Sequence, residues 1–175
     1  MSETEYKLEQ GDWLVHVAYG VGQVDGIEAM PLSKDDKPCY RVRTDDSTFW
    51  LPIENIDTHR VRPLASPERI QRALKTLRQA PEKMASGYKA RRQRIHDVIR
   101  DGDLKTDMIL VRDLNELQFK KGLNDTEQRA YNTIVRRFLQ EWTLSKDIQD
   151  KEARKKLNQF LQESRTKGKQ KQIAA

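Results

Sequence analysis

Hydrophobic and polar positions follow two different periods along this chain, and the change falls at Pro63. From Gly11 the apolar residues come in short runs: Trp13 to Val17, Val24 to Ile27, Cys39 to Arg43 with Tyr40 and Val42 alternating against charged neighbours, and Thr48 to Leu51. Turn-forming residues separate these runs at Gly20-Val21-Gly22, Ser33 to Lys37 and Asp45-Asp46, and His59 to Arg62 offers a last short strand. Four or five short strands with tight turns predict a small, strongly bent antiparallel sheet or barrel. Residues 1–10 are polar and are expected to be frayed.

Beyond Pro63 the apolar positions recur every three or four residues. Ser66-Pro67-Glu68 supplies an N-cap and a proline at the first helical position, opening a helix through Ile70, Ala73, Leu74 and Leu77 that stops before Pro81. A second helix is expected from near Met84 to Arg100, ending at Asp101-Gly102. Asp103 caps a third, with Gly122 as its terminator. Asn124 and Glu127 have the spacing of a capping box for a fourth, carrying Tyr131, Ile134, Val135, Phe138, Leu139 and Trp142. A fifth carries Ala153, Leu157, Phe160 and Leu161. The pattern therefore predicts an α+β chain of two domains, a sheet domain over 11–63 and a compact all-α domain over 64–164. The last stretch, 165–175, has too few apolar residues to pack and is expected to be a disordered basic tail.

Charge sharpens this division. Residues up to Ala65 carry 7 Lys and Arg against 12 Asp and Glu, and the remainder carries 26 against 15, so a net −5 precedes a net +11. A basic block favours phosphate-rich partners through counterion release, whereas an acidic block is repelled by DNA and suits a protein partner. One cysteine, Cys39, allows no internal disulfide, and His16, His59 and His96 lack ligand spacing, so no metal and no cofactor are expected. No apolar run is long enough for a membrane helix, and the acidic start resembles neither a signal nor a transit peptide, so a cytoplasmic protein is expected. Gly20 and Gly22 lack the third glycine, lysine and helix start of nucleotide-binding loops and are expected to form a turn. No Ser or Cys stands in a nucleophile motif, and no catalytic residue or small-molecule substrate is assigned.

The residues that remain for function lie in Lys83 to Arg94. A helix from Met84 puts Tyr88 on one face with Arg91 and Arg92, with Lys89 and Arg94 nearby. Such a group can set an aromatic ring against a base step while cations hold phosphates on either side. The spacing equally allows Tyr88 to continue an apolar stripe with Ile95 and Ile99 inside the helical domain.

The chain also resembles the CarD/CdnL family of bacterial RNA polymerase-binding transcription regulators. The resemblance rests on Gly11-Asp12, Gly20-Val21-Gly22-Gln23-Val24, Ile27-Glu28, Leu51-Pro52-Ile53-Glu54-Asn55, Leu77-Arg78-Gln79-Ala80-Pro81, Gly102-Asp103-Leu104, Val111-Arg112-Asp113-Leu114 and Gly122-Leu123 before Glu127. It covers roughly Gly11 to Trp142, and its specificity lies in the order and spacing of these pieces. It implies a Tudor-like sheet, similar to the polymerase-interacting domain of transcription-repair coupling factor, that docks on the RNA polymerase β subunit. It further implies a helical domain on promoter DNA at the upstream edge of the melted bubble, where a tryptophan wedges into the minor groove and stabilises the open complex.

A gapless count back from Gly102-Asp103 puts that wedge position at Tyr88, with Lys89, Arg91, Arg92 and Arg94 as the accompanying basic residues. The polymerase contacts fall at Met30 and at Phe49, Trp50, Leu51 and Pro52, where Met and Trp replace basic residues of some relatives. Trp50 as part of the sheet core and Met30 as a turn residue stay open as the plainer reading. Two other functions are also compatible with the residues: a free-standing architectural DNA-binding protein, and an adaptor whose sheet binds a different protein.

Overall fold

The computed structural model describes residues 7–175 and divides into two compact units, up to Leu64 and from Ala65 onward. The first is an antiparallel sheet of five strands: β1 (Trp13–His16), β2 (Gly20–Ala29), β3 (Pro38–Arg43), β4 (Thr48–Pro52) and β5 (Val61–Pro63). Their order is β4-β3-β2-β1-β5, so β4 and β5 are edges and the sheet is open rather than a closed barrel. Alternation decides which face is inside. Tyr40 and Val42 of β3 and Phe49 and Leu51 of β4 are buried with Leu14, Val24 and Val61, while Arg41 and Trp50 between them point to the other face.

Two expectations for this unit are corrected. Gly20-Val21-Gly22 is not a turn: the turn is at residues 17–19, and the glycines begin β2, with Gly20 paired to His16 and Gly22 to Leu14. Gly22 is needed for close approach, because a Cβ there would lie 2.6 Å from Val42 Cγ1. The frayed start expected over residues 1–10 does not hold for the described part, since Leu8 is buried in the sheet core and its N–H donates to the Tyr40 hydroxyl at 3.2 Å; residues 1–6 lie outside the described residues.

The second unit contains α1 (Pro67–Leu77), α2 (Tyr88–Asp101), α3 (Leu104–Lys121), α4 (Asp125–Lys146) and α5 (Asp150–Ala174). Local chemistry sets most of these ends. The Ser66 side chain accepts from Arg69 N, Asp103 from Thr106 N, and Asn124 and Glu127 form the reciprocal capping box. The core is one cluster built around Ile70, Leu77, Met108, Leu114, Ile134, Phe138 and Trp142. Fully buried Glu141 accepts the Ala65 N–H at 2.6 Å and so ties the chain entering α1 to the C-terminal part of α4.

The expected disordered tail is also corrected, because residues 165–174 continue α5. Four contacts explain why so polar a segment stays helical. Ser164 Oγ donates to Gln79 O at 2.6 Å, Lys167 Nζ to Arg78 O at 2.9 Å, and Arg78 pairs with Glu163 at 2.7 Å. Gly168, which is buried, rests on Pro81, where an added Cβ would come within 2.9 Å of the ring. Among the described residues, no helix is long and apolar enough to cross a membrane, and no three His, Cys, Asp or Glu side chains form a metal cluster.

Two stability predictions follow from the sheet. Gly22→Ala overpacks the β2/β3 contact and is expected to lower stability by about 1–3 kcal/mol in urea denaturation. His16 Nδ1 accepts from the N–H groups of Ala18 and Tyr19 at 3.0 and 3.3 Å, so the folded ring is neutral. Burial, then the charge of Arg60, holds its pKa below the ordinary 6.5, with Asp57 acting in the opposite sense. The unfolded chain therefore takes up the proton first, and the contribution of His16 to stability is complete above pH 6.5 and declines as pH falls below it. Denaturation midpoints measured downward from neutral pH should show this loss, and His16→Gln should flatten it.

Candidate polymerase and nucleic-acid interfaces

On the outer face of the sheet a β-bulge between Val24 and Gly26 lets Asp25 and Glu28 both reach Arg41 of the neighbouring strand, at 3.1 and 3.0 Å. Glu28 uses its other oxygen to accept from Trp50 Nε1 at 2.9 Å. The indole is thereby tied to a row of charges, half-buried and outside the hydrophobic core. Phe49 and Leu51 are core residues, so they can serve a partner only through their backbone. Pro52 is exposed and ends β4, whose outer edge pairs with no strand among the described residues. Met30 is exposed beyond the end of β2. Exposed Ile27 and Leu32, which the sequence reading missed, add apolar surface near it, and Leu32 holds φ +64 at the turn. A leucine left outside a strand pattern carries no local sign of its exposure.

In the helical unit the candidate residues separate into two groups. The second helix starts at Tyr88, four residues later than expected: the chain bends at Ser86 and Gly87, and Gly87 is extended at the N-cap. Arg91 donates to Ala85 O and Ser86 O, at 3.2 and 2.7 Å, and to the buried carboxylate of Glu127. Arg94 donates to Asp113 at 2.7 Å and contacts Met84 Sδ at 2.9 Å. Both arginines are thus struts of the fold rather than free cations. Lys89 and Arg92 are exposed and make no ion pair among the described residues.

Tyr88 itself is the first residue of α2 and 47% exposed. It does not extend the buried stripe of Ile95, and the packed alternative is not what the fold adopts. Gly87 provides no side-chain cap, and no acidic residue stands in the first turn of α2. The positive dipole end of α2 therefore has no side-chain cap, and exposed Tyr88, Lys89 and Arg92 accompany it, an arrangement suited to a phosphate next to an aromatic ring.

Family comparison matches both units. The CarD-like/TRCF RID domain matches residues 8–65, and the CarD C-terminal domain matches residues 72–158. The chain belongs to the CarD family. A CarD-family relative, the candidate transcription factor YdeB of Bacillus subtilis (strain 168), is 22% identical over 144 residues, which span 81% of this chain and 94% of that protein. CarD-like proteins are transcription regulators rather than enzymes, consistent with a site composed of cations, an aromatic ring and a strand edge.

The division of labour among the arginines is testable by denaturation. Arg91→Ala leaves the Glu127 carboxylate, 3% exposed, without its cation and should cost on the order of 2–4 kcal/mol. Arg92→Ala should change stability by less than about 0.5 kcal/mol, as expected for an exposed side chain without a partner.

Proposed function

We propose that this CarD-family chain binds the RNA polymerase β subunit through its sheet and promoter DNA through the start of α2, stabilising the open complex. Support on the polymerase side comes from the match to the CarD-like/TRCF RID domain, the edge of β4 that no strand among the described residues pairs with, half-buried Trp50 and exposed Pro52 on that strand, and exposed Met30 beyond the end of β2. A partner strand added to β4 gains backbone hydrogen bonds whatever its sequence, with Trp50 as a fixed apolar anchor on one face.

The observation that carries the DNA side is the position of Tyr88 at an uncapped helix start, 47% exposed, with uncommitted Lys89 and Arg92. An aromatic ring stacked at the upstream edge of a melted bubble opposes re-pairing there, and the lysine and arginine neutralise flanking phosphates. Weak, sequence-tolerant contact is sufficient. Binding to polymerase raises the effective concentration of the helical unit at the promoter, and preference for the open state shifts the equilibrium towards it. The protein supplies no bond-making step, so its effect is on how long a promoter state lasts.

The intact chain should capture the β subunit, and Tyr88→Ala should retain that capture. The same substitution should shorten the open-complex lifetime on the order of tenfold, matching the ~1–3 kcal/mol of one aromatic–base contact. An unchanged lifetime would remove the wedge from the account. A free-standing architectural protein predicts no capture of polymerase, and a protein adaptor predicts no salt-dependent affinity for DNA.

A further inference from the structure

The part of α5 beyond residue 158 lies outside the matched CarD domain, yet it is fastened to the segment between α1 and α2 through Gln79, Arg78 and Pro81. These contacts bring the end of α5 beside the end of α3 and residues 81–86. The three segments line a groove of about 630 Å³ whose apolar lining includes Pro81, Met84 and Leu117. Each contributes a lysine to its lining: Lys83 from the connecting segment, Lys121 from the end of α3 and Lys171 from the end of α5. All three are exposed and form no ion pair among the described residues.

Carboxylates also line the groove, but most are already satisfied. Asp113 is fully buried and engaged by Arg94 and Arg112, and Glu116 is paired with Lys120 at 2.7 Å. Glu82, 3.7 Å from Arg112, is exposed. Lys83, Lys121 and Lys171 are thus the cations of the lining that no carboxylate engages among the described residues.

We propose that this lysine-rimmed groove is a second DNA-backbone contact, in which Lys83, Lys121 and Lys171 hold phosphates of the strand that passes Tyr88. The proposal rests on the reading of the helical unit as DNA-facing. Continuity favours DNA as the occupant, because the wall of the groove runs through Ser86 and Arg91 directly into the exposed start of α2. Chemistry favours it as well: lysines are point charges that neutralise phosphates without reading bases, and the arginine in the lining is committed to Glu127. The groove thus lengthens a contact that Tyr88, Lys89 and Arg92 begin, and it does so with a segment beyond the matched domain.

The test uses the intact chain and a duplex containing a mispaired bubble, with affinity measured over a series of salt concentrations. Replacing Lys83, Lys121 and Lys171 together by Gln should reduce the slope of log affinity against log salt by about two to three, since each lost phosphate contact removes roughly 0.7–0.9. Thermal melting should be unchanged, because the three side chains are exposed. Replacing exposed Lys105, Lys151 and Lys155 by Gln should leave the slope in place; an equal drop there would overturn the groove as a site. An unaltered slope in the groove variant, beside a salt-dependent wild type, would overturn the groove alone. A wild-type chain with no salt-dependent affinity would overturn the DNA-facing reading and the groove with it.

Discussion

The carboxylate of Asp113 organises the helical unit. Fully buried on α3, it accepts from Arg112 Nε at 2.8 Å, from Arg94 Nη2 of α2 at 2.7 Å and from the Glu82 N–H at 2.9 Å. A buried charge is tolerable only when its lone pairs are filled, and here the groups that fill them come from two other parts of the chain. The connecting segment and α2 are consequently fixed to α3 by electrostatics as well as by the apolar burial of Met84, Ile95 and Val98. That matters because α2 buries only Ile95 and Val98 fully, with Ile99 partly buried beside them. Glu127 repeats the device through Arg91, and together the two carboxylates determine where α2 begins and hence that Tyr88 stands at its exposed tip.

The sheet unit uses charge in the opposite direction, on its surface. Arg41, Asp25 and Glu28 form a half-buried row at the surface whose energetic worth is small, as is usual for ion pairs near water. Its consequence is geometric: Glu28 holds the Trp50 indole in one orientation beside the open edge of β4. Both candidate surfaces therefore present an aromatic residue outside the hydrophobic cores, Trp50 held by Glu28 and Tyr88 at a helix start that carboxylate–guanidinium pairs fix in place.

The legibility of this arrangement in the sequence depended on range. Features decided within a few residues were readable: the Ser66, Asp103 and Asn124 caps, the Gly122 terminator and the alternation of β3 and β4. The reading failed where distant residues decide. Residues 165–174 lack apolar content, yet Ser164, Lys167 and Gly168 dock on residues 78–81, more than 80 positions earlier. Arg91 and Arg94 look like surface cations beside Tyr88, and only the fold brings Glu127 and Asp113 to them. Gly20 and Gly22 carry the composition of a turn, and only the proximity of Val42 explains a glycine inside β2.

The central claim is that Tyr88 touches promoter DNA because polymerase brings it there. A photo-reactive aromatic residue at position 88, in the intact chain assembled with polymerase and a promoter, tests that contact directly. The account predicts cross-links to DNA at the upstream edge of the bubble that depend on polymerase. Cross-links absent from that edge, or equally strong without polymerase, would contradict it.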